Sequence, residues 1–319
     1  MCISLDTELI WGMHDIPTVN SYLGNIIQGR KEAIPAMLDL FEKYEMHVTW
    51  AIVGGVMCEN KQEFLDNSPT ETLYPNYDNN LLSPYRLIPN MGINKNEDYL
   101  FFGKEIVGQI ISRKNQYIGS HTFSHYYCTE TGQTVEQFEA DLSSATKIAE
   151  ENGISIRSIV FPRNQINKEY LNACARHGIK TYRGIEENWI YGMKQSLLQR
   201  ILRFADCYIP LTGDNSFIPA KTNGVLNVKG SRILHPYNKK LRAFEFLKIE
   251  RIKRQMKSAA KKGEVFHLWW HPHNFGSDLK TNLEMLEMIL KYFDELKQQY
   301  GFRSLAMEEI GDLYGEEAD

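Results

Sequence analysis

Strand-like and helix-like segments alternate along most of this chain of 319 residues. Residues 2–5 have the pattern of a buried strand, residues 31–44 place apolar side chains at helical spacings of three and four, and residues 47–53 have the pattern of a second strand. The same alternation continues, with strands predicted over 116–119, 156–161, 179–182 and 264–270 and helices over 135–152, 168–177 and 279–300. Repeated crossovers of this kind predict an α/β fold, either a barrel or a doubly wound sheet, with its chemistry at the carboxyl ends of the strands.

Composition narrows the range of proteins to which the chain can belong. With 43% hydrophobic and 12% aromatic residues, it can bury the core of one elaborated barrel or of two ordinary domains. The five cysteines are scattered without a CxxC pair, which favours reduced thiols and a cytoplasmic location over a disulfide framework. No apolar run approaches the roughly 20 residues of a membrane span, and the first residues do not resemble a secretion signal. The net charge of −4 gives no indication of nucleic-acid binding.

Metal-ligand residue types follow separate predicted strands. His121 and His125 are four residues apart after strand 116–119, and Asp6 and Glu8 end the first strand. Two imidazoles at this spacing can reach one divalent ion, and a carboxylate from another strand can supply the third ligand. Three protein ligands leave a coordination position for water, which suits hydrolysis. The alternative is that the two histidines are polar residues lining a buried turn.

Several of these short motifs resemble those of the polysaccharide deacetylases with NodB homology, the carbohydrate esterase family 4 type. His121-Thr-Phe-Ser-His125 resembles the family's histidine motif, residues 4–8 its acidic motif, residues 47–54 a core strand, and Leu268-Trp-Trp-His271 its closing motif. The resemblance implies a distorted (β/α) barrel and a divalent metal such as zinc. It also implies removal of acetyl from an N-acetylated sugar, with the ion held by Glu8, His121 and His125.

The resemblance also implies catalytic roles. Asp6 is assigned as the base, His271 as the acid that protonates the departing amine, and Arg163 as the residue that orients the base. The acidic motif here is Asp6-Thr7-Glu8 instead of adjacent aspartates, so the reverse assignment of base and ligand stays open. Arg163 occurs in Phe-Pro-Arg instead of the usual Arg-x-Pro order. A backbone N–H near Tyr126 or Tyr127 is expected to assist the metal in holding the oxyanion.

Four residues near these motifs are candidates for contact with substrate. They are two tryptophans, a tyrosine and a second histidine after the final strand: Trp11, Trp189, Tyr126 and His273. Packing in the core is the competing interpretation for the aromatic residues.

We predict a single catalytic domain over 1–319, with insertions at about 59–98 and 190–262. The first insertion is expected to be an ordered cap over the cleft. Residues 239–262 contain ten Lys or Arg against two Glu and an apolar stripe. This pattern is typical of a solvated helix face over a buried stripe, and it also fits contact with anionic lipid.

Three functions remain open at this point. The first is removal of an N-acetyl group from a sugar in a bacterial surface-glycan precursor, which could be lipid-linked. The protein would then act in the cytoplasm or at the periphery of the inner membrane. The second is hydrolysis of a cyclic amide by the same residues. The third is a carbohydrate-binding protein without catalysis, which altered acidic and arginine motifs would favour.

Overall fold

The sheet of this protein curves into a barrel. The computed structural model describes residues 1–16, 19–194 and 196–315. Within these residues one sheet has the strand order β6-β7-β5-β4-β3-β2-β1-β9-β8, and every neighbouring pair is parallel except β6 with β7. The strands are β1 Cys2–Thr7, β2 Val48–Ile52, β3 Gln116–Ser120, β4 Ser158–Ile159, β5 Thr181–Tyr182, β6 Ala220–Thr222, β7 Val225–Asn227, β8 Arg232–Ile233 and β9 His267–Trp270.

Helices connect the strands and cover the outside of the sheet. Those over the central part of the chain begin and end within a few residues of the predicted limits. The α-helices are α1 Leu23–Gln28, α2 Ile34–Lys43, α3 Gly54–Met57, α4 Lys61–Asn67, α5 Lys95–Phe101, α6 Lys104–Ile111, α7 Val135–Glu151, α8 Lys168–Arg176, α9 Leu197–Ala205, α10 Glu245–Lys262, α11 Leu279–Tyr300 and α12 Met307–Gly315. The predicted α/β class and distorted (β/α) barrel are confirmed.

The segment from β7 to β8 joins the two sides of the barrel. Its first half pairs with β5, where the Val228 N–H donates to the Tyr182 carbonyl at 2.9 Å. Its second half pairs with β9, where the Ser231 N–H donates to the His267 carbonyl at 2.8 Å. Because one short segment bonds to both neighbours in turn, the carboxyl ends of β1, β3, β5 and β9 are brought around a common rim.

The barrel interior contains an apolar cluster and a group of polar side chains. Cys2, Ala51 and Val160 form the apolar cluster with Met307 and Ile310 of α12. Among the polar side chains, His267 donates from Nδ1 to the Val228 carbonyl, and its Nε2 lies 2.8 Å from the Ser4 hydroxyl. Side chains alternate along a strand, so Ser4 and Asp6 of β1 and Glu8, which directly follows β1, face the same side. The polar side chains His267 and Ser4 therefore lie on the same side of the sheet as the acidic residues at the rim.

Part of the first predicted insertion lies against the histidine segment. The Tyr77 hydroxyl accepts a hydrogen bond from the Tyr127 N–H at 2.8 Å, and Tyr77, Leu82 and Tyr127 form a small apolar cluster. The region contains α4, α5 and several short 3-10 turns, as expected for an ordered cap. The division into one domain with two insertions stays a prediction.

Helix α10 buries part of the apolar stripe that its sequence predicts. Ile249, Ile252 and Met256 are buried, and α10 packs against α11. Two of its basic residues are buried as well: Lys248 donates to the His235 carbonyl, and Arg251 lies 3.1 Å from Asp206. The apolar side chains along most of the helix are therefore internal and unavailable to lipid, whereas Phe244 and Phe246 at its start are exposed. No helix among the described residues is both long and apolar enough to span a bilayer.

Asp206, directly after α9, forms ion pairs with two buried arginines, Arg232 of β8 and Arg251 of α10. Its carboxylate lies 2.8 Å from Arg232 Nη1 and 3.1 Å from Arg251 Nη2. We expect Asp206→Asn to lower the free energy of unfolding by about 3 kcal/mol, because two buried guanidinium groups lose their counter-charge. The control Asp214→Asn, at a half-exposed pair with Lys262, should cost less than about 1 kcal/mol. Urea denaturation of both variants measures the difference, and equal losses would contradict this role for Asp206.

Candidate metal centre and hydrolytic site

The carboxylate of Glu8 lies between the two predicted histidine ligands. Glu8 Oε1 is 3.0 Å from His121 Nε2 and 3.3 Å from His125 Nε2, and all three side chains are buried. Glu8 follows β1, while His121 directly follows β3, the second neighbour of β1 in the sheet. Two imidazole nitrogens and a carboxylate oxygen that converge in this way form a donor set typical of a catalytic zinc site.

Hydrogen bonding fixes the orientation of one of these imidazoles. His121 Nδ1 lies 2.8 Å from the Val160 carbonyl, and since a carbonyl can only accept, Nδ1 carries the proton. The lone pair is then on Nε2, which faces Glu8. Burial lowers the pKa of His125 to about 4, although the hydrogen bond and charge of Glu8 act in the opposite direction. The His125 ring can therefore be neutral at pH 7, the form that binds a metal ion.

The segment that carries the histidines has an unusual backbone. Thr122 and His125 both have φ of 63°, in the left-handed region that a β-branched residue such as threonine rarely adopts. The Thr122 hydroxyl oxygen accepts the Tyr126 N–H at 2.7 Å, and the buried Asp141 carboxylate accepts the Phe123 N–H at 2.7 Å. Burial raises the pKa of Asp141 to about 6 against the effect of these hydrogen bonds. These contacts hold His125 toward Glu8.

Gly12 provides the space that the Glu8 carboxylate occupies. A Cβ atom at position 12 would lie 1.8 Å from Glu8 Oε2 and 2.4 Å from its Cδ. No larger residue fits there unless the carboxylate moves. This close approach depends on the tertiary fold, so the sequence alone gave no reason to select Gly12.

Asp6 is held by an arginine that sequence analysis did not select. Arg183 Nη1 and Nη2 donate to the two oxygens of Asp6 at 2.6 and 2.7 Å, and Nη1 also donates to Ser4. The guanidinium group lies over the ring of Trp269, 4.1 Å from its centroid. Burial acts to raise the pKa of Asp6, but the charge and hydrogen bonds of Arg183 leave that pKa below its usual value. Asp6 is therefore an ionised carboxylate at neutral pH.

Arg163 has a different partner from the predicted one. Its Nη2 atom donates to both oxygens of Asp15 at 2.6 and 2.5 Å, and its guanidinium lies over the ring of Tyr127. The prediction that Arg163 orients Asp6 is corrected in favour of Arg183, which follows β5. The rule that chemistry collects at the carboxyl ends of strands points to this position, but the motif comparison pointed to residue 163.

His271 lies at the open side of the two carboxylates. Its Nε2 atom is 3.5 Å from Glu8 Oε1 and 3.7 Å from Asp6 Oδ2, and about a quarter of its side chain is exposed. Burial acts to lower the pKa of His271, but Glu8 and Asp6 raise it above the usual value. His271 is thus favoured in its protonated form, and with Asp6 and Glu8 it makes a second group of potential ligands.

Of the four residues predicted to contact substrate, three are buried and one is exposed. Trp11 is fully buried and donates from Nε1 to the Phe101 carbonyl, and the ring of Tyr126 is buried against Phe138, so both belong to the core. His273 is buried with its ring centroid 5.4 Å from that of His271, and burial followed by the charge of His271 lowers its pKa to about 4. Trp189 is exposed.

Two further details of the predicted site need correction. The Tyr126 and Tyr127 N–H groups already donate to Thr122 and Tyr77, so neither is free to hold an oxyanion. The tyrosine beside the ligands is Tyr127, whose ring meets that of His125 edge-on at 5.2 Å between centroids. Its neighbour in sequence, Tyr126, packs against Phe138 in the core instead.

Comparison with family models gives one match. Residues 26–182 match the family model described as polysaccharide deacetylase, a span that includes His121 and His125 but not the acidic residues or His271. No curated protein sequence matches the chain.

Three solved structures share the fold at 11% sequence identity. One from Mycobacterium smegmatis, described as a polysaccharide deacetylase, has a TM-score of 0.63 over 100% of this chain and 91% of its own. A structure titled Puue Allantoinase has a TM-score of 0.58 over 99% and 89%. One from Pseudomonas aeruginosa PAO1, also described as a polysaccharide deacetylase, has a TM-score of 0.54 over 99% and 90%.

Substitution of Gly12 tests the placement of Glu8. We expect Gly12→Ala to weaken zinc binding by ~10-fold or more, because the added methyl group displaces the carboxylate. Stability should fall by about 1–3 kcal/mol, because the buried carboxylate also loses its hydrogen bonds to His121 and His125, and circular dichroism verifies that the variant folds. Gly108→Ala in α6, where a Cβ meets nothing within 4 Å, is the matched control and should leave zinc binding unchanged. Isothermal titration with zinc measures both, and unaltered binding by Gly12→Ala would contradict the geometry.

Removal of Arg183 tests its pairing with Asp6. We expect Arg183→Met to cost about 3–5 kcal/mol of stability, because the buried Asp6 carboxylate is left without a counter-charge. The double variant Asp6→Asn/Arg183→Met should recover much of this loss, whereas Arg163→Met should cost less than about 1 kcal/mol. Urea denaturation of the set gives the coupling energy. If the double variant loses as much stability as Asp6→Asn and Arg183→Met together, the two side chains do not interact.

Proposed function

We propose, on the premise that residues 26–182 belong to the polysaccharide deacetylase family, that this protein is a metal-dependent hydrolase of a carbohydrate N-acetyl group. The observation that carries the proposal is the convergence of Glu8, His121 and His125, with their ligand atoms within 4.8 Å of one another. Glu8 is then the metal ligand and Asp6 the base, because Glu8 faces both imidazoles and Asp6 is bonded to Arg183.

The donor set of two imidazoles and one carboxylate fits zinc better than magnesium or calcium, which prefer oxygen ligands. When bound, such an ion would lower the pKa of a water molecule and polarise the amide carbonyl. The protein residues then supply the proton transfers.

Asp6 is the group that receives a proton from the attacking water. Its carboxylate stays ionised at neutral pH because Arg183 neutralises the cost of burying it, and the same two hydrogen bonds fix its orientation. Fixing the base in advance removes part of the entropic cost of the attack.

His271 is the group that gives a proton to the departing amine. An amine is a poor leaving group as an anion, so cleavage of the C–N bond requires an acid beside the nitrogen. His271 is partly exposed and has a raised pKa beside Glu8 and Asp6, so it can hold a proton and still meet a substrate. Its neighbour His273 is buried and has a lowered pKa, which makes it a supporting residue.

The wider setting is part of the same proposal. We assign as substrate an acetylated sugar of a bacterial surface-glycan precursor, processed in the cytoplasm. A cyclic amide is the second candidate, because the fold is shared with a structure titled allantoinase and the same base, acid and ligands can open a ring. Ring opening releases no acetate, so the product distinguishes the two. A carbohydrate-binding protein without catalysis would release neither product.

Two histidine variants test the division of roles. We expect His125→Ala to lose both bound zinc and acetate release, because a ligand is removed. His271→Ala should retain one zinc per chain and lose activity by ~10²-fold or more, because only the acid is removed. The measurements are metal content by mass spectrometry and acetate release from N-acetylated oligosaccharides, with His177→Ala on the outer surface as the control.

The outcomes separate the alternatives. Loss of zinc from His271→Ala would place this histidine among the ligands, together with Asp6 and Glu8. Full activity in both variants would contradict the whole assignment of the site. Restoration of acetate release by added zinc in a chelated wild-type protein, and not in His125→Ala, would support it.

A further inference from the structure

Exposed apolar side chains are concentrated in one part of this protein. Of the seventeen large hydrophobic residues that are exposed in the described chain, ten lie between residues 185 and 246. Single exposed apolar residues are ordinary on a protein surface, but a contiguous group indicates an interaction site.

Helix α9 presents its apolar face to the outside. Leu197, Leu198 and Ile201 are 72%, 58% and 55% exposed, and Phe204 continues the same face one turn later. The buried side chain is the polar Gln199, whose amide donates to the Ile190 and Met193 carbonyls. A helix that packs onto a core by its apolar stripe has the opposite arrangement. Packing among the residues that the structure describes therefore does not explain the leucines and isoleucine of α9.

The apolar face continues from α9 to the start of α10. The ring centroids of Phe204 and Tyr208 are 5.5 Å apart, and the Tyr208 hydroxyl donates to Glu245 at 2.8 Å. Glu245 lies between Phe244 and Phe246, which are both exposed. We call the exposed side chains of this region the α9 face: Leu197, Leu198, Ile201, Phe204, Phe244 and Phe246.

Basic residues lie in both segments that contribute to the α9 face. Residues 188–205 contain Lys194, Arg200 and Arg203 and no Asp or Glu. Residues 237–244 contain Lys239, Lys240 and Arg242 and likewise no acid, and all six basic side chains are exposed. Of the six, Lys239 pairs with Asp278 at 2.8 Å. Apolar side chains with basic residues around them complement a lipid surface, where the former enter the acyl boundary and the latter meet anionic headgroups.

We propose that the α9 face binds the surface of an anionic lipid bilayer. The face lies on the side of the barrel that carries His271: Phe204 packs near His235, the adjacent Leu234 N–H donates to the Trp269 carbonyl, and the Trp269 and His271 rings are 6.0 Å apart. Docking by α9 therefore holds the rim of the barrel close to the lipid surface.

Trp189 offers a direct spectroscopic test. It is 55% exposed near α9, bonded to the Leu211 carbonyl, whereas the other four tryptophans are at most 8% exposed. The first measurement is co-sedimentation of the full chain with vesicles of phosphatidylcholine, with and without phosphatidylglycerol. The second is quenching of tryptophan fluorescence by brominated lipid, with Trp189→Phe to assign the signal. We expect binding to the anionic vesicles, quenching that Trp189→Phe removes, and weaker binding at high salt.

Matched variants locate the binding surface. Leu197→Ser/Ile201→Ser should weaken binding to the anionic vesicles by ~10-fold or more, because two apolar side chains of the α9 face are lost. Leu81→Ser/Ile93→Ser changes two residues of similar exposure, 59% and 60%, outside the face and should leave binding unchanged. Circular dichroism and thermal unfolding verify that both variants fold.

Three results would each overturn the proposal: no binding to anionic vesicles at low salt, equal binding by the two double variants, or equal binding to neutral and anionic vesicles. Analytical ultracentrifugation of the wild type in the absence of lipid tests whether a second copy of this chain binds the α9 face. Self-association that Leu197→Ser/Ile201→Ser abolishes would assign the α9 face to a second copy of this chain instead.

Discussion

The contact on which the site depends is that between one carboxylate and three imidazoles. Glu8 lies within 3.5 Å of the Nε2 atoms of His121, His125 and His271, and these residues come from segments more than 100 positions apart. Such a group assembles only if β1, β3 and β9 end at the same rim, which the parallel sheet and the joining segment between β7 and β8 ensure. A buried carboxylate without counter-charge would be costly, so the protein needs the imidazoles, or a cation between them, as partners for Glu8.

The second carboxylate has a partner of its own. Arg183 donates to both oxygens of Asp6, so the two acids at the end of β1 have different surroundings: Glu8 faces imidazole nitrogens and Asp6 faces a permanent cation. This difference supports the proposal that Glu8 is the ligand and Asp6 the base, a choice that the spacing of the two residues left open.

Much of this arrangement was predictable from the sequence. Periodicity predicts the strands and helices, and the rule that parallel strands end at one edge predicts that Glu8, His121 and His271 lie together. The sequence does not reveal Arg183, because the arginine of the motif is matched by Arg163. It did not separate buried Trp11 and Tyr126 from surface aromatics, because residue type does not define which side chains the core encloses. The close approach of Gly12 to Glu8 and the outward face of α9 are likewise consequences of tertiary packing.

The central claim is that Glu8, His121 and His125 bind one ion. Anomalous diffraction from zinc-soaked crystals, recorded on both sides of the zinc absorption edge, tests it most directly. The account predicts one strong peak about 2.0–2.2 Å from His121 Nε2, His125 Nε2 and a Glu8 oxygen. A zinc peak elsewhere, with these three side chains still bonded to one another as they are in the present structure, would contradict it.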